Sequence, residues 1–168
     1  MSHQPAHHPV IDGFEFALAG ATQRGSMPFS GFPRLRDLLA SDAGEVAYEV
    51  KGLRDSQGHP SLRVSLRGTL ALRCQRCLEA MRFEVDEEEM LVLAATQEEI
   101  DSDPADPQKP DRVLAGKEMA LRELIEDELI LAVPYAPRHE ECSVSAAAGG
   151  DEKLSPFASL RSLLRDKP

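Results

Sequence analysis

The chain has 168 residues, and 42% of them are hydrophobic, which is enough for one core. It has three cysteines, and this odd number excludes a framework in which every cysteine forms a disulfide within the chain. A net charge of −10, no Trp and only 5% aromatic residues argue against a uniformly basic, base-stacking nucleic-acid binder. Apolar runs such as Leu129 to Val133 are too short to span a membrane, and residues 1–9 lack the apolar stretch of a signal peptide, so we expect a cytoplasmic protein.

The first part of the chain predicts a tail, a short helix and a strand. Residues 1–9 are rich in histidine and proline and should form a disordered tail. Residues 29–40 combine turn residues with leucines at helical spacing, which predicts a turn leading into a short helix. Hydrophobic and polar residues alternate over 46–50, so we expect a half-buried strand that ends at Gly52 before a turn over 55–60.

The clearest periodicity lies in residues 62–74. Hydrophobic residues there fall on even positions and polar residues, mostly arginines, on odd positions, which predicts a long strand with one buried face. Gly68 lies at an even position, as the apolar residues do, and could allow a bend or a bulge in the strand. The alternation resumes at Phe83 and Val85, so the cysteines between the two segments should lie in the turn of a second hairpin.

The last part of the chain predicts a loop, a helix and a tethered second helix. Residues 97–112 are acidic and proline-rich and should form a solvated loop. An amphipathic helix follows over 120–132 and ends before Pro134. A linker over 143–154 then leads to a short amphipathic helix over 155–168.

These elements predict an α+β fold. We expect a curved antiparallel β-sheet with flanking helices in a single domain over residues 10–142, extended by the short C-terminal amphipathic helix. We find no internal repeat in the sequence.

Cys74 and Cys77 have the two-residue spacing at which both sulfurs can bind one tetrahedral zinc ion. His139 and Cys142 are separated by two residues as well and could complete a Cys3His set. The plain alternative is a buried thiol pair with a surface Cys142. A further alternative is a dithiol oxidoreductase centre, but such a centre is expected at a helix N-terminus after a strand, whereas the flanks here predict hairpin strands.

The basic charge is concentrated beside the cysteines. Residues 61–82 contain five arginines and one acid, whereas residues 84–128 contain sixteen acids and four bases. This segregation is compatible with an RNA-binding face on an acidic protein, although a solvated strand face explains it almost as well. The candidate RNA-binding residues are Arg63, Arg67, Arg73, Arg76 and Arg82.

No set of catalytic residues is apparent in the sequence. There is no phosphate-binding glycine loop, no nucleophile elbow, and no Ser or Cys with an obvious His and Asp partner. Glu126, Asp127 and Glu128 form an acidic patch on the predicted helix, and three consecutive carboxylates are more often a solvated face than acid–base groups. Such a patch could instead attract a basic protein.

Three sequence blocks resemble a known family. Residues 70–78 read Leu-Ala-Leu-Arg-Cys-Gln-Arg-Cys-Leu, residues 125–134 read Ile-Glu-Asp-Glu-Leu-Ile-Leu-Ala-Val-Pro, and residues 155–160 contain Ser-Pro-Phe-Ala followed by Leu160. In this order and spacing they resemble the YceD family of large ribosomal RNA subunit accumulation proteins, over about residues 46–165.

The resemblance implies a function in accumulation or processing of large-subunit (23S) ribosomal RNA, with direct association with that RNA. It implies no catalytic residues. Within this family role, the alternative is a protein adaptor, in which the acidic helix attracts a basic ribosomal protein with no contact to RNA. The Cys-x-x-Cys of the family corresponds to Cys74 and Cys77, the later cysteine to Cys142, and the acidic helix to residues 126–128. Some relatives have more C-terminal cysteines, which favours zinc; this chain has only one, so His139 or water must complete the coordination.

Overall fold

The computed structural model describes residues 9–102 and 109–142. The predicted linker and C-terminal helix, and all but Pro9 of the predicted tail, lie outside the described residues. The elements in chain order are β1 (Val10–Ile11), α1 (Gly13–Leu18), β2 (Thr22–Pro28), two 3-10 helices (Phe29–Gly31 and Leu35–Leu38), β3 (Leu39–Ser41), β4 (Glu45–Arg54), β5 (Pro60–Arg73), β6 (Ala80–Ala94), α2 (Gln97–Asp101), β7 (Asp111–Leu114), β8 (Met119–Ala120) and α3 (Leu121–Ala132).

The main sheet confirms the α+β class. Its strands follow the order β2-β4-β5-β6-β7, with β3 also paired to β5, and β1 and β8 form a separate two-stranded ladder. All pairs are antiparallel except β6 and β7, which run parallel. The expected purely antiparallel sheet is therefore wrong at this edge, because the connection after β6 is long enough to return β7 alongside it in the same direction.

Strand β5 lies at the centre of the sheet and has the predicted alternation. Its even-numbered side chains from Leu62 to Leu72 are buried, apart from partly exposed Gly68. Pairing with β6 continues through Gly68 without a shift in register, and pairing with β4 ends at Gly68 without one, so the suggested bulge is absent. A Cβ at Gly68 would lie 3.1 Å from the carbonyl oxygen of Glu45, which indicates that the glycine provides space between strands.

The helices bury their apolar residues with the inner side chains of the sheet in one core. Ala17 of α1 and Leu121, Ile125 and Leu129 of α3 belong to this cluster. Helix α1 and strand β2 were not predicted from the sequence, because α1 has only six residues and β2 shows no clear alternation. No helix among residues 9–102 and 109–142 is both long enough and apolar enough to cross a membrane.

Other boundaries differ from the sequence predictions. Strand β4 continues through Gly52 to Arg54, and a Cβ at Gly52 would clash with the backbone of α1, so this glycine permits close packing rather than ending the strand. The helix expected in residues 29–40 is replaced by two 3-10 helices and β3. The expected loop over 97–112 contains α2 and the start of β7. The predicted helix over 120–132 is confirmed as α3.

Candidate metal centre

The turn between β5 and β6 holds the Cys-x-x-Cys motif, as predicted. The turn closes through two backbone hydrogen bonds, from the Cys74 N–H to the Glu79 carbonyl (2.9 Å) and from the Leu78 N–H to the Cys74 carbonyl (3.0 Å). Leu78 has a φ of 65°, in the left-handed region that a leucine rarely adopts. The Gln75 N–H donates to the carbonyl of Pro137 (2.8 Å), which brings the segment after α3 against the turn.

The four predicted ligands meet at this turn. One ligand atom from each of Cys74, Cys77, His139 and Cys142 lies within 4.8 Å of the others. The Cys74 and Cys142 sulfurs are 3.8 Å apart, and the Cys77 sulfur is 3.4 Å from His139 Nδ1. Tetrahedral zinc with Zn–S bonds of about 2.3 Å and Zn–N bonds of about 2.0 Å separates its ligand atoms by roughly 3.5–3.8 Å. The residues therefore fit a tetrahedral metal ion.

The imidazole of His139 is oriented for binding through Nδ1. Its Nε2 lies 3.3 Å from the carbonyl oxygen of Ala80, and a carbonyl can only accept a hydrogen bond. In this contact Nε2 therefore carries the proton, and Nδ1 faces the sulfurs with a free lone pair. Hydrogen bonding of the distal ring nitrogen to a carbonyl is how protein zinc sites usually fix the histidine tautomer.

The environment of Cys74 favours its thiolate. The backbone N–H of Cys77 is the main cause that lowers the pKa of Cys74 to about 5, against the opposing effect of burial. The Arg76 N–H also donates to this sulfur at 3.4 Å. Burial, followed by the neighbouring thiols of Cys74 and Cys77, raises the pKa of Cys142. A bound cation would offset the repulsion among several thiolates in so small a volume.

The candidate RNA-binding arginines lie on or next to the outer face of the β5–β6 hairpin. Arg73 has no ion pair within the described part of the chain, and the guanidinium of Arg76 donates to the carbonyl of Cys142 (3.1 Å). The other three pair with acids of β6: Arg63 with Glu88 (3.6 Å), Arg67 with Asp86 (2.8 Å) and Arg82 with Glu84 (3.3 Å). The structure therefore places arginines and acids together on this face.

The predicted solvated acidic patch is wrong at two of its three positions. Glu126 and Glu128 are buried, and only Asp127 is exposed. Glu126 Oε1 accepts the backbone N–H groups of Arg34 (2.6 Å) and Leu35 (3.2 Å), while Oε2 accepts the side chain of Arg34 (3.2 Å). Glu126 therefore joins α3 to the second 3-10 helix. No local sequence signal identifies Arg34 as the partner of an acid 92 residues away.

Comparison with known proteins supports the resemblance drawn from the sequence. No solved structure matches the chain. The family model described as large ribosomal RNA subunit accumulation protein YceD matches residues 62–164, which include strand β5, the cysteine turn, α3 and both C-terminal metal-site candidates. Because this match covers more than half of the chain, the protein belongs to the YceD family of large ribosomal RNA subunit accumulation proteins.

Proposed function

We propose that this protein supports accumulation of large-subunit ribosomal RNA by binding that RNA or its precursor, without catalysing a reaction on it. The family match over residues 62–164 is the observation that carries the proposal. The same segment contains all five candidate arginines and all four candidate metal ligands.

The outer face of β5 supports a role in phosphate binding. Arg63, Arg67 and Arg73 occupy odd positions of one strand with continuous register, so their side chains leave the same face of the sheet. At ~3.3 Å per residue they are spaced by about 13 and 20 Å along the strand. The acids that pair with Arg63 and Arg67 are exposed, and exposed ion pairs contribute only about 0–1 kcal/mol, so phosphate can replace them.

A zinc ion bound by Cys74, Cys77, His139 and Cys142 would stabilise the end of this hairpin. These ligands come from the β5–β6 turn and from the segment after α3, so one ion would crosslink two parts of the chain. We assign the metal a structural function, because four protein ligands complete a tetrahedral zinc ion and leave no position for substrate.

Replacing Arg63, Arg67 and Arg73 with Gln should weaken binding to ribosomal RNA and leave the domain folded. Salt dependence is the slope of the logarithm of the binding constant against the logarithm of the salt concentration. Each lost phosphate contact should make this slope roughly 0.7–0.9 units less steep, so the loss of three contacts should change it by roughly 2–3 units. The measurement is the affinity for a large-subunit RNA transcript at several salt concentrations, with circular dichroism to verify folding. Crosslinking in cells followed by RNA sequencing would identify the bound RNA.

The matched control replaces three exposed basic residues elsewhere, Arg36, Arg54 and Lys117, with Gln. This control changes the net charge equally, so general repulsion of RNA should affect both triple variants alike. If the variant at Arg63, Arg67 and Arg73 binds RNA with the parent's affinity and salt slope, the arginines form only a solvated face. Retained function of that variant in a deletion strain would support the protein-adaptor alternative.

The competing enzymatic hypothesis is a thiol–disulfide oxidoreductase that uses Cys74 and Cys77. Both cysteines lie between two hairpin strands, so backbone N–H groups, and not a helix dipole, lower the pKa of the Cys74 thiol. We expect no reduction of insulin disulfides above the background of free thiols. Turnover well above that background, abolished by Cys74→Ser or Cys77→Ser, would favour the oxidoreductase.

A further inference from the structure

A cavity of about 330 Å³ lies between the β5–β6 pair and the end of α3. Its apolar lining includes Val64, Leu66 and Leu91 of the sheet, which are at most 2% exposed, and Leu131 of α3, which is 71% exposed and provides the accessible apolar surface. Its polar lining consists of four acids, Glu87, Glu89, Asp111 and Glu128, and none of the lining residues is basic. We call this site the acidic cavity.

Two of the acids occupy positions that normally belong to the core. Glu87 and Glu89 pair with Leu66 and Val64 of β5, so they lie on the sheet face that carries the buried side chains. Along β6 they lie at every second position between Val85 and Leu91, so all four side chains leave the same face of the sheet. Val85 and Leu91 are buried. Glu87 and Glu89 themselves remain exposed within the cavity. The sheet therefore presents carboxylates beside an apolar surface.

The fourth acid, Glu128, is largely buried and has no partner among the described residues. It is only 8% exposed, and it has no hydrogen bond or ion pair with any residue in the described ranges 9–102 and 109–142. Burial raises the pKa of Glu128 to about 7, with further contributions from the charges of Glu89, Asp111 and Asp127. Among the described residues no side-chain oxygen is both fully buried and unpaired, so the carboxylate of Glu128 stays open to the cavity, where a cation would offset its partial desolvation.

The spacing of the carboxylates distinguishes between kinds of cation. In the described part of the chain, the cysteine–histidine cluster is the only place where three or more candidate metal ligands lie close enough together to hold one ion. The four carboxylates of the acidic cavity are therefore too far apart to bind one metal ion together. A lysine or arginine side chain combines a long apolar stem with a charged end, and such stems pack on apolar surfaces. RNA is unsuited to this site, because its phosphates would be repelled by four acids.

We propose that the acidic cavity binds a lysine or arginine side chain from a basic segment of a protein partner. The stem packs against Leu131, the exposed apolar side chain of the lining, and the charged end reaches Glu128 and Glu89. This site adds a protein partner to the proposed RNA-binding function and does not depend on RNA contact, because the candidate arginines of β5 leave the opposite face of the sheet.

The test measures binding of the full chain to a fluorescein-labelled decapeptide of alternating arginine and alanine, by fluorescence anisotropy at low salt. Glu89→Gln and Glu128→Gln should each weaken binding about tenfold, since each removes a carboxylate that contacts the cation. Glu88→Gln is the matched control: it removes the same charge from the adjacent, outward-facing position of β6 and should leave the affinity within about twofold. A peptide with neutral citrulline in place of arginine should not bind.

Denaturant unfolding verifies that the variants are folded, and Glu128→Gln should be at least as stable as the parent because it removes a buried charge. Equal weakening by Glu88→Gln, or equal binding of the citrulline peptide, would overturn the proposal. Spermine that binds as tightly as the peptide, with the same dependence on Glu128, would also overturn it in favour of a small cation. RNA affinity is measured in parallel, so failure here remains distinguishable from failure of the RNA proposal.

Discussion

Cys74→Ser and Cys77→Ser should each reduce the zinc content from about one equivalent per chain to near zero. Both sulfurs belong to the cluster whose ligand atoms lie within 4.8 Å of one another, and a serine hydroxyl is a poor substitute for a zinc-bound thiolate. Structural zinc in small motifs contributes roughly 10–16 kcal/mol of apparent binding free energy, so its loss should also destabilise the β5–β6 turn. Elemental analysis of protein purified without chelator measures the zinc content.

Two histidine variants provide a matched comparison for the metal site. His139→Gln should lower zinc affinity strongly, because its Nδ1 is one of the four ligand atoms. His59→Gln should not, because His59 lies in the β4–β5 loop, where its Nδ1 is 2.9 Å from Asp55. A fully folded parent protein that copurifies with no metal would contradict the zinc hypothesis and leave a cluster of free thiols.

Glu126→Ala should destabilise the domain by about 2–4 kcal/mol, because it leaves backbone N–H groups without their charged acceptor, whereas the side chain of Arg34 is 53% exposed and can be solvated. Glu126 is 1% exposed and accepts three hydrogen bonds from Arg34 and Leu35. The alanine variant would leave the backbone N–H of buried Leu35 without its carboxylate acceptor, at a cost of about 1–3 kcal/mol for that group alone. Urea unfolding monitored by circular dichroism gives the change in free energy of unfolding.

Asp127→Ala is the control for this experiment. Asp127 binds the same Arg34 at 2.6 Å, but both side chains are about half exposed, so its loss should change stability by less than about 1 kcal/mol. Glu126→Gln retains one acceptor oxygen and should fall between the two alanine variants. If Glu126→Ala and Asp127→Ala have equal, small effects, Glu126 does not join α3 to the second 3-10 helix in solution.

Local sequence signals were sufficient for the parts of the fold that depend on short-range patterns. The alternation over residues 62–74 predicted the buried and exposed faces of β5, because side chains on a strand leave alternate faces. Helical periodicity and Pro134 predicted α3 to within one residue of its start. The pairs Cys74/Cys77 and His139/Cys142, each separated by two residues, predicted a four-residue cluster that could hold a metal, because this spacing allows two ligands to reach one ion.

Only the tertiary structure determined how distant segments meet. It brought Cys77 within 3.4 Å of His139, 62 residues later, through a hairpin turn that contacts the segment after α3. It also buried Glu126 against Arg34 and placed Glu128 beside Glu89 with no partner in residues 9–102 and 109–142, although all three acids are of a type usually found on solvated surfaces. The physical reason is that burial and charge pairing depend on which elements pack together, and a local pattern contains no information about a partner 62 or 92 residues away.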